Sequence, residues 1–189
     1  MTDPFAKRRP GRLSHADLRW IAAGPSWRAP RLADLNHAAP IDYDQLMRGN
    51  RIAGRAFIVH GGELARRGKI ADVQVVAVAP FLDELAACPH LAAVTSLDLA
   101  GNRIGAEGLA ILLASPHLVN VTRLDLRAND LGDAGAVLLA SATSLPALRT
   151  LIVRDNDLGP AGESALRTIS RLAEFDLGPN SGETRRPAA

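Results

Sequence analysis

The chain has 189 residues, 47% hydrophobic and 22% charged, enough for one domain or a short repeat array and too apolar for wholesale disorder. Its single cysteine, Cys88, excludes an intramolecular disulfide and points to a reducing compartment. The net charge of +2 hides an asymmetry: residues 1–69 hold 13 Lys/Arg against 6 Asp/Glu, and residues 70–189 hold 9 against 14.

Residues 1–12 read as a flexible basic tail. No apolar run comes after Lys7, Arg8 and Arg9, so a secretory signal lacks its core. Nothing approaches the ~18 consecutive apolar residues of a membrane span, and a soluble cytoplasmic chain is expected. Residues 13–66 read as a mostly helical segment: Ser14 is placed to cap HADLRWIAA, and Pro25, Pro30, Pro40 and Gly49 punctuate the stretch after it. His60, Gly61 and Gly62 weaken a helix there, and a β-hairpin from Phe57 to Val76 is the competing reading. Residues 67–93 form a degenerate capping coil. Its strand, KIADVQVVAV, has lost the leucine spacing found downstream, yet ACPHL at 87–91 stands 27 residues before ASPHL at 114–118.

From residue 94 the chain repeats itself. Leu97, Leu124 and Leu151 are 27 apart, and Phe175 comes after a further 24. Leu99, Leu126, Val153 and Leu177 keep the same register, as do Asn102, Asn129, Asn156 and Asn180. A fixed period with so many agreeing columns indicates a solenoid. In LDL the two leucines point to one side of a strand and the aspartate to the other. The asparagine sits where the chain leaves the strand, and its amide can bond the backbone of neighbouring coils. The segments 106–114, 133–141 and 160–170 read as helices, with Asp133 a candidate N-cap and Pro160 tolerated in a first turn. Residues 94–180 thus hold three repeats and a closing strand, and residues 181–189 read as a flexible tail.

The pattern LxxLxLxxNx[IL]GxxG resembles the leucine-rich repeats of the ribonuclease-inhibitor-like class. This resemblance implies an α/β solenoid with short parallel strands on the concave face and helices on the convex face. It also implies a non-enzymatic protein-interaction role. Regulation of an enzyme, as a GTPase activator or inhibitor, is the alternative within the same class, with Arg103 the rim residue that would serve it. A second resemblance lies upstream. LRWIAAGP at 18–25, APRL at 29–32, RAFI at 55–58 and ELAR at 63–66 are similar in order to the repeat-companion domain, a small helical module found before leucine-rich repeats in large bacterial families. Ser26, Trp27 and Arg28 stand where that family carries acidic residues.

Candidates for chemistry meet simpler readings. Cys88 shares a column with Ser115 and Ala142, a place for a small packed side chain. His90 and His117 share a column and could approach a metal together, but Ser144 occupies the next position and no third ligand repeats with them. Asp98 and Asp125 form a carboxylate pair on what should be a solvated strand surface, near Arg127 and Arg154, with no pocket to raise a pKa. GGELARRGK at 61–69 lacks the spacing of a phosphate loop. No catalytic residue, metal, cofactor or small-molecule substrate is expected.

Subtracting the buried columns leaves outward strand positions. Ser96, Arg123, Thr150 and Glu174 form one row; Asp98, Asp125, Ile152 and Asp176 a second; Ala100, Arg127, Arg154 and Gly178 a third. The expected partner surface is Ser96, Asp98, Arg123, Asp125, Arg127, Thr150, Ile152, Arg154, Glu174 and Asp176. Its mixed charge suits a protein of unspecified identity better than a polyanion. The scattered basic residues at 7–31 leave nucleic-acid association as a lesser reading.

Overall fold

The computed structural model describes residues 42–178, and the chain divides into two compact units between Gly49 and Asn50. Expectations placed on residues 1–41 and 179–189, including the Ser14 cap, most of the companion-like segment and Asn180, lie outside the described residues. The described part of the first unit holds helix α1 (Tyr43–Leu46). Asp42 caps it, accepting from the N–H groups of Asp44 and Gln45.

The second unit alternates strand and helix. Its elements are β1 (Arg51–Ala53), α2 (Gly54–Arg66), β2 (Asp72–Val76), α3 (Leu82–Ala86), β3 (Ser96–Asp98), α4 (Gly105–Leu113), β4 (Arg123–Asp125), α5 (Gly132–Ser141), β5 (Thr150–Ile152), α6 (Pro160–Arg167) and β6 (Glu174–Asp176). The strands form one sheet in sequence order, every neighbouring pair parallel. A parallel pair needs a crossover, and each helix supplies one. Leu97 pairs with Leu124 and Leu124 with Leu151 at the 27-residue step, while Val73 to Leu97 and Leu151 to Phe175 are 24 apart. This is the α/β solenoid that the repeat implies. It begins one coil earlier than the sequence pattern shows, at β1.

Inward columns fill the space between sheet and helices. Val73, Leu97 and Leu151 are fully buried, as are Leu99, Leu126 and Val153, and so are Leu109 and Leu112 of α4. At the far end, Ser164, Arg167 and Thr168 of the last helical segment point away from the core, and Arg167 pairs with Glu163 at 2.9 Å. The helix layer thus finishes on a polar face, as a terminal coil requires. The strand layer is less covered there, with Phe175 and Leu177 half-buried.

The asparagines form a ladder. Asn129 Oδ1 accepts from the N–H groups of Asn102 (3.1 Å) and Ile104 (3.3 Å), and its Nδ2 donates to the carbonyls of Leu99 (3.0 Å) and Arg127 (3.1 Å). Asn156 repeats the arrangement one coil on, accepting from Asn129 N at 2.9 Å. Asn102 serves the coil before, accepting from Val78 N at 3.1 Å. Each amide therefore supports the preceding coil. Val78 stands in the asparagine column of the β2 coil. The coil before it passes straight from β1 into α2 without the rim loop that an asparagine would support.

Two expectations are corrected. Residues 54–66 are helix, so the hairpin from Phe57 to Val76 does not form. The diglycine that argued against a helix receives the ring of His90: a Cβ on Gly61 would lie 3.0 Å from His90 Cδ2, and one on Gly62 2.7 Å from Cε1. The helix weakening of glycine is accepted in exchange for close approach. Asp133, expected to cap its own helix, caps the next one instead. Leu131 precedes α5 without a side-chain cap, while Asp133 Oδ1 accepts from Gly159 N at 2.7 Å and Gly162 N at 3.0 Å at the start of α6.

Candidate protein-interaction face

The outward side chains of the strands carry the candidate site. The register aligns Asp72, Ser96, Arg123, Thr150 and Glu174, and then Gln74, Asp98, Asp125, Ile152 and Asp176. Eight of the ten expected residues thus lie on one sheet face, and Arg127 and Arg154, two residues beyond β4 and β5, reach it through their bonds to Asp125 and Asp176. Arg123, Arg127, Arg154 and Glu174 are exposed, while Ser96, Asp98, Thr150, Ile152 and Asp176 are half-buried. The sequence reading missed Asp72, Gln74 and Val76, which extend the face onto β2. Their signal was the alternation in DVQVV, where Val73 and Val75 are fully buried.

Asp125 departs from its expected exposure: it is 2% exposed. Its Oδ1 accepts from Arg127 N at 3.1 Å, closing a local turn as Asp98 does with Ala100 N at 2.8 Å. The Arg127 guanidinium then covers the carboxylate, with Nε 2.9 Å from Oδ1 and Nη2 2.9 Å from Oδ2. Asp98 is tied instead to Gln74 Nε2 at 3.1 Å. The aspartates of LDL are therefore turn-closing groups first.

In the next coil Ile152 replaces the aspartate, and Arg154 reaches across to Asp176, Nε to Oδ2 at 2.7 Å. Gly178 makes room for it, since a Cβ there would overlap Arg154 Cγ. The hydrogen bond from Arg154 holds the Asp176 carboxyl below the usual carboxylate range, and the arginine's own value rises for the same reason. Arg127 is raised by its hydrogen bonds to Asp125, and the charge of Arg154 acts against that rise.

Other candidates are structural. Burial pushes the Cys88 thiol up, opposed by backbone N–H groups of His90 and Leu91. His90 lies on the α2 diglycine, whereas His117 donates its backbone N–H to Ser115 Oγ at 3.2 Å. Among the described residues no group of three or more His, Cys, Asp or Glu could hold a metal. Arg103 is exposed on the rim with φ of 53°. No helix of the described residues is long and apolar enough to cross a membrane.

Residues 90–112 and 117–140 match the family described as Leucine Rich repeat. These coils are leucine-rich repeats. The two matched segments contain β3 with α4 and β4 with α5, the strands that carry Asp98, Arg123 and Asp125. The chain matches no curated protein.

Proposed function

We propose that the chain binds a protein partner through the outward, concave face of its sheet, without catalysing a reaction itself. The observation that supports this is a six-stranded sheet whose inward side is sealed by apolar side chains while its outward side presents Arg123, Arg127, Arg154 and Glu174 to solvent. Leucine-rich repeats generally mediate protein–protein contact. The mixed charge of this face suits a protein more than a nucleic acid, which would favour one sign. The helix in each of the three asparagine-bearing coils favours the ribonuclease-inhibitor-like class. The companion-like segment is proposed on its sequence order alone.

The test is a photo-crosslinking amino acid placed at Thr150 on the strand face or at Val137 on the helix face. The expected result is a partner protein linked from Thr150 and not from Val137, and lost when Arg123→Glu and Ile152→Arg are combined. Capture from Val137 alone, or equally from both, would remove the strand-face reading. Asp125 is left intact because reversing a buried charge would disturb β4 itself.

A further inference from the structure

Arg127 and Arg154 stand in successive coils, one strand spacing apart (about 4.8 Å), and both are tethered along the same edge. Arg127 uses Nε and Nη2 on Asp125, at 2.9 to 3.0 Å. Arg154 uses Nε and Nη2 on Asp176. A guanidinium offers two edges to a carboxylate, one through Nε and Nη2 and one through Nη1 and Nη2. In each arginine the first edge is taken. Nη1 of neither makes a hydrogen bond among the described residues. Their side chains are 45% and 47% exposed. Holding a guanidinium by one edge removes rotamer freedom before a ligand arrives, which lowers the ordering cost of binding.

We propose that the free edges of Arg127 and Arg154 receive a single carboxylate, an aspartate or glutamate side chain of the protein partner, with an apolar neighbour seated on Ile152. The inference rests on the strand-face reading and adds the chemistry of the partner. Charge balance sets the class: two arginines already offset by Asp125 and Asp176 suit a monoanion better than a dianionic phosphate. The flanks set the context. Asp72 and Asp98 lie on one side of the pair and Glu174 on the other, so a run of acidic residues would meet repulsion while an isolated one would not. Arg123 is the remaining cation on β4. It belongs to the row of Ser96 and Thr150, two residues before Asp125.

The experiment selects displayed random peptides on the wild-type chain and measures synthetic versions by calorimetry. The parallel variants are Arg127→Lys with Arg154→Lys, Arg127→Glu with Arg154→Glu, and Ile152→Arg, each checked by circular dichroism melting. Expected peptides carry one acidic residue beside an apolar one. Replacing that acid by its amide should weaken binding about tenfold or more, as should the double lysine variant, which keeps charge and loses the fork. The double glutamate variant should select basic peptides instead.

Peptides that depend on Ile152 but show no acidic preference would overturn the carboxylate receptor and leave the strand-face reading standing. Tighter binding of a phosphoserine version would overturn the monoanion assignment. Peptides indifferent to every one of these substitutions, or no selected peptide at all, would count against the strand-face reading and the receptor with it.

Discussion

Asp133 caps a helix that is not its own: its Oδ1 lies 2.7 Å from the backbone nitrogen of Gly159, 26 residues ahead, and 3.0 Å from that of Gly162. Pro160 has no N–H, so one carboxylate thereby satisfies two of the three orphan donors at the start of α6, and it places negative charge at the positive end of that helix. Asp133→Ala should cost about 1 to 2 kcal/mol in urea unfolding, and Asp133→Asn less. Gly162→Ala, ordinarily favourable in a helix, should be destabilising here because its Cβ would overlap Asp133 Oδ1 and lie 3.1 Å from Asp133 Cα. In the Asp133→Ala background the overlap with Oδ1 is gone, so the two substitutions should be strongly non-additive. Additivity would mean that the cap does not exist in solution.

Asn129 is fully buried and serves two coils at once. Removing it with Asn129→Ala strands the N–H groups of Asn102 and Ile104, while the carbonyls of Leu99 and Arg127 keep the Nδ2 of Asn102 and the N–H of Gly101. Each stranded group costs about 1 to 3 kcal/mol, so a loss of about 2 kcal/mol or more is expected by chemical denaturation. Asn102→Ala should cost less, since the Oδ1 of Asn102 accepts from the Val78 N–H, whereas that of Asn129 accepts from both Asn102 and Ile104.

The rim places each ladder asparagine between two left-handed residues. Gly101 and Arg103 flank Asn102, Ala128 and Asp130 flank Asn129, and Asp155 and Asp157 flank Asn156. Glycine fills the first of these columns once, and Ala128 fills it with φ of 52°. A left-handed alanine costs roughly 1–2 kcal/mol, part of which glycine returns through greater freedom of the unfolded chain. Ala128→Gly should therefore raise stability by less than about 1 kcal/mol. A lower denaturation midpoint for this variant would show that the rim loop imposes no left-handed strain.

The contrast between columns explains how much of the fold was legible in the sequence. Leu97, Leu124 and Leu151 share one environment, so the same residue recurs and the period is visible. Ile52 and Val73 lie on the same inward side, but the steps from β1 to β2 and from β2 to β3 are 23 and 24 residues, Val78 stands in the asparagine column of the β2 coil, and the β1 coil has no rim loop. Without the asparagine the marker disappears although the strand remains. The shared outward side of Ser96, Arg123 and Thr150 was legible because alternation along a strand is geometric. Burial of Asp125 was not legible. It depends on Arg127 folding back, and the neighbouring coil with Ile152 sends the matching arginine elsewhere. The capping role of Asp133 was hidden for the same reason: its partner is close in space and 26 residues away in sequence.

The contact of His90 with α2 makes this part of the structure sensitive to acid. Burial lowers the pKa of His60, and burial followed by the charge of Arg66 lowers that of His90. Both rings favour the neutral form when folded. Their contribution is complete above the unfolded value of about 6.5 and is lost as pH falls through the lower folded values. Glu63 acts in a separate window, because hydrogen bonds from Arg66 and Arg67 lower its pKa and its contribution fades only as pH falls through the carboxylate range. The urea midpoint should therefore drop between about pH 7 and about pH 5, and His90→Gln should flatten part of that slope. With the ring removed by His90→Ala, Gly62→Ala should stabilise α2 by up to about 1 kcal/mol, the ordinary helical preference for alanine. In the presence of His90 that gain should be reduced or reversed, because the added Cβ would meet His90 Cε1 at 2.7 Å. An equal gain with and without His90 would show that the ring does not occupy the diglycine notch.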